Sequence, residues 1–465
     1  MNDGECAFME ASAESGRTPG GPRFGGILIG SLAIGLIVRF ALLPLTYEYD
    51  MYHWAVILQN INSGNGLYSL DGYFYTPVWG YVLGAMDAVW NSLLSVDVFG
   101  MKITELLGVQ TMEHMNHTAT VTTPEFNAFI KLMLIAVDIV VGFAVRSFVK
   151  SLTDDSRKAD IGFALWFLCP IAIYMSAVQG MFDNISGLLT LLSIILVLRR
   201  HYFSGGFLLM TAILLKLYPG FALTVMIALI AVRRNSTKDC LSNMMRLFAG
   251  GLCAFAILMA PTVMDGTFAK AFTFITDRAA NTSQFDQMFG ILGIALGVAV
   301  MLYFTFRMLR SSKEEADGEF LRFVMMALIG GVVCNLGPQY PLVVIPVLCA
   351  YIVAVDRTYM ICLLLIGTGC ALEALVLNNY SLLMTAASYG GWVGFDTILS
   401  GLDWTEAYIV GTSSFRSLMN TVFSMVALAG LLLAVLFCIQ EWISAKSARI
   451  GSMLDWIRSI GQEGA

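Results

Sequence analysis

The sequence predicts an all-α polytopic membrane protein, and three observations carry that expectation. Of 465 residues, 57% are hydrophobic and 13% charged, where a soluble domain carries about 25% charged residues. The mean hydropathy is +0.74, more apolar sequence than one isolated core absorbs. Apolar runs near the roughly 20 residues that a spanning helix needs recur along the whole chain. Hydrocarbon offers no water to exposed backbone groups, so the runs are expected to be helices.

Residues 1–24 are polar, Gly-rich and lack an apolar signal region, and they read as a disordered cytoplasmic tail. The first span is expected over Gly25 to Leu45. Residues 46–75 then form the first external loop. Within it Met51, Trp54, Ala55, Leu58 and Ile61 share one helical face, which predicts a short helix lying on the membrane. Pro77 to Val96 is read as re-entrant or tilted, because Asp87 and Asp97 favour polar protein surroundings over lipid. Further spans are expected over Ala128 to Val149, Ile161 to Val178, Phe289 to Leu309 and Phe320 to Leu336. Leu342 to Val355, Tyr359 to Leu377 and Leu418 to Ile439 continue the series. In all, residues 25–439 are expected to hold roughly 12–13 transmembrane helices. Residues 440–465 form a second amphipathic segment, with Ile443, Ile450, Met453, Ile457 and Ile460 beside Lys446, Arg449 and Arg458, on the inner leaflet.

Basic clusters at Arg146/Lys150/Arg157/Lys158, Arg199/Arg200, Arg233/Arg234/Lys238 and Arg307/Arg310/Lys313 place those loops inside. The loops around Glu48, Gln179, Lys216, Asp265 to Gln287, Gly337 and Asn378 to Ser414 then face outside. The cysteines are scattered through apolar segments without CxxC pairs, as small packing residues are. No P-loop, dinucleotide fingerprint or basic aromatic surface occurs, so nucleotide chemistry and nucleic-acid partners are not expected.

Polar residues near lipid are costly, about 2.5–3.5 kcal/mol for a charge at the centre of a spanning helix. Most collect at the outer side. Tyr47-Glu48-Tyr49-Asp50 pairs two carboxylates that suit a general base or a metal site, with helix capping by Asp50 as the plainer alternative. Gln179-Gly180-Met181-Phe182-Asp183-Asn184 is a tight external turn in which Asp183 either lines a site or caps the next helix. Lys216 puts a cation at an outer helix end, for a phosphate or merely snorkelling. Arg278 offers a second cation or a solvated loop charge. Gly337-Pro338-Gln339-Tyr340-Pro341 presents an amide and a phenol at a kinked connection. His114 and His117 with Glu113 have only loose metal-ligand spacing, and no metal site is assigned there.

Several of these motifs together resemble one family. Asp50-Met51-Tyr52-His53-Trp54-Ala55, Gly66-Leu67-Tyr68 and Tyr75-Thr76-Pro77 are similar to the first external loop of GT-C fold glycosyltransferases. Asp138 within a span, Cys169-Pro170 before Gln179 to Asp183, Lys216-Leu217-Tyr218-Pro219 and Pro338-Gln339-Tyr340 follow in the family's order. The chain departs at Thr76 and Cys169, where members often have Pro and Asn, and residues 95–127 look like an insertion. The resemblance implies a GT-C-like bundle with a catalytic first external loop. It implies an inverting, mannosyltransferase-like enzyme moving a hexose of mannose or glucose type from a polyprenyl-phosphate sugar to an acceptor hydroxyl. The acceptor would be a glycan, lipid or protein, and membrane lipid the surrounding partner. Asp50 would be the base, assisted by Glu48. Lys216 and Arg278 would hold phosphate, while Asp183, Gln339 and Tyr340 would line the site. No cofactor is required, although a divalent cation is compatible with the paired acids. The expected location is a prokaryotic plasma membrane or the endoplasmic reticulum, with the site on the external or lumenal face. The alternative is a secondary transporter or lipid-linked sugar flippase, which the intramembrane Asp138 keeps open. A non-catalytic subunit of a membrane complex is a third reading.

Overall fold

The computed structural model describes residues 25–68, 73, 75–94, 104–105, 120–273, 284–334, 337–377, 381–385, 395–411 and 413–463. Helices dominate them. Strands are confined to two antiparallel two-residue pairs, β1 (Thr104–Glu105) with β2 (Thr120–Val121) and β3 (Ile409–Val410) with β4 (Ser413–Ser414).

The first helix, α1, covers Gly26–Leu42, and α2 covers Glu48–Asn62. Met51, Trp54, Ala55 and Leu58 do share a face, but it is buried against the protein and not laid on a membrane as expected. α3 (Pro77–Leu94) lies against α2, and Asn62 Nδ2 donates to Asp87 Oδ2 over 3.2 Å. Asp87 therefore meets at least one polar side chain of the protein.

α4 (Pro124–Thr153) starts on a Thr123 side-chain cap with Pro124 in its first turn, where a missing N–H costs nothing. The expected span over Ile161 to Val178 is broken in two. α5 (Ser156–Phe167) and α6 (Pro170–Tyr174), with its π-helical continuation Met175–Gln179, meet at 53°. Pro170 is the cause, since it donates no N–H to the preceding turn and its ring clashes with a continuing helix.

The chain continues through α7 (Asp183–Leu198), α8 (Tyr202–Leu215), α9 (Gly220–Val232) and α10 (Thr237–Met264). After these come α11 (Gln284–Leu309), α12 (Ala316–Val333), α13 (Ile345–Ala354) and α14 (Met360–Leu377). α15 (Phe395–Ala407) and α16 (Phe415–Glu463) close the described chain. α13 is buried from Ile345 to Val353 and packs on α4, α5, α7 and α12, which makes it the core helix. A helix that is apolar all round belongs there. The segment 440–465, expected as a separate surface element, is instead continuous with α16 to Glu463, and no Gly or Pro occurs between Gln440 and Ile450 to stop it.

Among the described residues five helices are long and apolar enough to cross a membrane, or six if the bent pair counts as one span. That is an all-α architecture of the polytopic membrane kind. The roughly 12–13 full-length crossings expected from hydropathy do not all appear as such. Gly26–Leu42, Asp183–Leu198, Tyr202–Leu215, Gly220–Val232 and Ile345–Ala354 are apolar but only 10–17 residues long. At 1.5 Å per residue such helices reach about 15–25 Å, short of the roughly 30 Å hydrocarbon core. The connections expected at Lys216-Leu217-Tyr218-Pro219 and Pro338-Gln339-Tyr340-Pro341 do interrupt the helices.

Candidate functional site

The first turn of α2 sets the site. Backbone N–H groups of Thr46 and Tyr47 donate to the carbonyls of Leu382 (3.0 Å) and Val178 (3.3 Å), fixing where the helix begins. Its N-cap is Tyr47, which makes no side-chain cap bond, and Asp50 is the third residue inside the helix. Asp50 is thus not the cap. It is buried, with its Oδ2 accepting a hydrogen bond of 2.9 Å from Gln179 Nε2.

Asp50 and Gln179 share the wall of a cavity of about 180 Å³ with Tyr47, Tyr49, His53, Trp54, Tyr75, Met181, Pro338, Gln339 and Leu377. Drug-sized ligands occupy roughly 300–1,000 Å³, so this space suits one small polar group, such as a single sugar ring. Its rings are organised. Trp54 lies 5.4 Å from Trp79, 5.8 Å from Tyr75 and 5.9 Å from Phe182, and Trp79 stacks on Phe182 at 4.3 Å. Trp54 Nε1 donates to the Gly180 carbonyl (3.0 Å), which ties α2 to the turn bearing Gln179.

Behind Tyr75 stands a buried ion pair. Lys216 Nζ is 3.2 Å from Asp183 Oδ2, and it faces the rings of Phe182 (4.7 Å), Tyr75 (5.0 Å) and Tyr340 (5.7 Å). Lys216 ends α8 in extended backbone, the break that turns its side chain inward. The N-cap of α7 is Phe182, so Asp183 is not the cap either. The Tyr340 ring lies 4.6 Å from that of Tyr218, tilted by 45°. Lys216 is neutralised by Asp183, so it holds a phosphate only by sharing itself between the two.

Glu48 goes elsewhere. Its Oε2 takes the Thr122 N–H (3.0 Å) and meets the Thr122 hydroxyl (2.9 Å), and Thr385 Oγ1 bonds to Oε1. Thr122 Oγ1 also approaches Asn127 Oδ1 at 2.6 Å, and Asn127 Nδ2 reaches Thr385 Oγ1 at 3.4 Å, which closes a ring. One hydroxyl carries one proton. If Thr122 donates to Asn127, a protonated Glu48 supplies the remaining hydrogen bond. Burial pushes the Glu48 carboxyl up to about 7, against the hydrogen bonds from Thr122 and Thr385 and the charge of Lys131.

The structure thus brings Asp50 and Gln339 to one cavity, with Asp183, Lys216 and Tyr340 adjoining it through Tyr75 and Phe182. Glu48 is turned away from it, and Arg278, His114, His117 and Glu113 lie outside the described residues. Among the described residues no three of His, Cys, Asp and Glu converge as metal ligands.

Two buried cations escaped the sequence reading. Arg39 in α1 binds Asp138 in α4 through Nε (3.1 Å) and one terminal nitrogen (2.8 Å), and gives its other terminal nitrogen to the Phe167 carbonyl (2.7 Å). Asn184 Nδ2 holds the second Asp138 oxygen at 2.9 Å. Lys131 Nζ donates to the carbonyls of Leu43 (2.9 Å) and Leu45 (2.6 Å) and to Thr46 Oγ1 (2.8 Å), fastening the chain between α1 and α2. The available signal was a cation inside each of two apolar runs, which the cost of burying charge makes noteworthy. A scan against models of known protein families gives no match, and a search of curated proteins gives none either.

Proposed function

We propose that the chain is an inverting glycosyltransferase of the GT-C kind, moving a hexose of mannose or glucose type from a polyprenyl-phosphate sugar to an acceptor hydroxyl. One observation carries the reading. A buried carboxylate held by an amide, Asp50 with Gln179, stands in a small cavity walled by tyrosine and tryptophan rings. Aromatic faces with hydrogen-bonding amides and a carboxylate suit a sugar ring and its hydroxyls.

Asp50 takes the acceptor's hydroxyl proton as the oxygen attacks the anomeric carbon. The bond from that carbon to the phosphate oxygen breaks, its electron pair leaves on polyprenyl phosphate, and configuration inverts. Lys216, one ring away across Tyr75, and Arg278 are the cations assigned to the leaving phosphate. Gln339 lines the sugar cavity, while Tyr340 and Asp183 orient Lys216. The site residues lie in the loops that the basic clusters set outside, so the reaction is assigned to the outer or lumenal face of a prokaryotic plasma membrane or the endoplasmic reticulum. The competing reading as a transporter or flippase drew on Asp138. Both oxygens of that acid are engaged by Arg39 and Asn184, which leaves it poorly suited to carry a coupling ion.

The test is transfer of radiolabelled hexose from a panel of polyprenyl-phosphate sugars, in membranes holding the wild type or Asp50→Asn. The wild type should transfer from one donor. Asp50→Asn should lose about 10²–10⁴-fold in rate while melting at the wild-type temperature. Undiminished turnover by Asp50→Asn would sink the proposal.

A further inference from the structure

We infer that Gln179 is the positioning residue of Asp50, fixing the plane of its carboxylate for proton transfer; the inference rests on the reading of Asp50 as base. Gln179 belongs to neither the helix of Asp50 nor a flexible loop. It ends the π-helical turn Met175–Gln179, whose last residue precedes Gly180 in a left-handed conformation, φ 71°. π-turns inside helices often mark functional positions. Here the wider turn is closed by the Met181 N–H on the Met175 carbonyl (3.0 Å).

The residues on either side of Gln179 are pinned to the helix of Asp50. The Val178 carbonyl accepts from Tyr47 N–H, and the Gly180 carbonyl accepts from Trp54 Nε1. Gln179 is itself 5% exposed. The amide is therefore held at its backbone on both sides and by burial along its length. A carboxylate only accepts hydrogen bonds, so the NH2 end must face it. The resulting 2.9 Å contact locks Oδ2 and with it rotation of the carboxylate. The amide's Oε1 has no hydrogen-bond partner among the described residues, so the side chain is not held by a competing contact at that end.

Gln179 shares the cavity wall with Asp50, but its NH2 end is given to the acid, so loss of that bond should be read in kcat more than in acceptor KM. Misplacing a reacting group by about 1 Å costs on the order of 100-fold. Gln179→Leu should accordingly lower kcat for transfer from polyprenyl-phosphate mannose or glucose by about 10–100-fold, with KM changed little. Gln179→Glu keeps the shape and carries the test even if Gln179→Leu fails to accumulate. Ionised, its carboxylate repels Asp50; protonated, it donates the missing hydrogen bond. The ratio of its rate to the wild-type rate should therefore rise as pH falls. His53, Tyr47, Tyr49 and Tyr75 around the cavity, and Asp183 and Lys216 behind it, are common to both proteins and cancel in the ratio. A wild-type kcat in Gln179→Leu, or a pH-independent ratio for Gln179→Glu, overturns the inference. Asp50→Asn in the same assay separates the two claims, because normal transfer by that variant removes the base and the need to position it. No transfer by the wild type from any donor overturns both.

Discussion

Asp138 and Asp50 are both buried carboxylates met by a long polar side chain from another helix, yet they are built differently. Asp138 lies in α4 between α1 and α7, with side chains of both Arg39 and Asp138 fully buried. Arg39 is further used up on the Gly35 (3.3 Å) and Phe167 (2.7 Å) carbonyls, and its guanidinium lies 4.1 Å over the Phe167 ring. Asp50 accepts a hydrogen bond of 2.9 Å from the Gln179 amide and stands on the wall of a cavity. A charge matched by a charge and closed off by backbone acceptors is a structural clamp. An acid on a cavity wall retains its capacity to act on a ligand. Acidity and burial do not separate the two; a place on a cavity wall does.

The comparison is broken most directly at the clamp. Arg39→Met leaves the Asp138 carboxylate buried without its counter-charge, and removing one member of a buried pair typically costs about 3–5 kcal/mol. The detergent-solubilised variant should melt far below the wild type. Arg39→Met combined with Asp138→Leu should recover most of the loss, because an apolar replacement of the whole pair is often neutral. Melting of the single variant at the wild-type temperature would show that the clamp is not structural. Asp50→Asn should behave in the opposite way, with little change in melting.

Glu48 sharpens the comparison with a third acid, two residues from Asp50 and satisfied by its own ring of threonine and asparagine. Burial raises its folded-state value from 4.5 to about 7. Between those values the folded protein holds a proton that the unfolded chain has lost, so stability falls as pH rises through this window and is level outside it. A shift of this size amounts to about 3 kcal/mol at 1.36 kcal/mol per unit. Melting should therefore be higher near pH 5 than near pH 8, beyond the trend of Glu48→Gln, whose amide cannot titrate. Identical pH dependence in the two proteins would place the ionised form in the folded state and reopen a role for Glu48 as an acid–base group.

Much of this was legible in the residues. Hydropathy gave the all-α membrane class. The spacing of Met51, Trp54, Ala55 and Leu58 gave the helix and its apolar face, though not that protein covers it, and the acid within Tyr47 to Asp50 led to the cavity wall. Three things were not legible, each for a physical reason. Glu48 and Asp50 are neighbours in sequence, but a helix turns about 100° per residue, so side chains two apart diverge. Pairing of Lys216 with Asp183, and of Arg39 with Asp138, depends on which helices touch, which the local pattern does not encode. The span expected over Ile161 to Val178 was overestimated because Pro170 breaks that apolar run.

The smallest effect tests the joint between helix and cavity. Gly180 has φ 71°, and a Cβ there would stand 2.4 Å from the sulfur of Met51. The left-handed backbone costs a non-glycine residue about 1–2 kcal/mol, and Met51 is fully buried, so its side chain has little room to yield. Gly180→Ala should lower stability by about 1–2 kcal/mol or slightly more and should reduce transfer, since Gln179 and the carbonyl holding Trp54 move with it. Adding Met51→Ala separates the causes. It removes the clash but leaves the backbone cost and adds a cavity. Transfer restored by the double change, with stability still reduced, assigns the catalytic loss to displacement of the Gln179 turn. Transfer still reduced assigns it to the backbone of Gly180 itself, the residue that sets where the amide meets the acid.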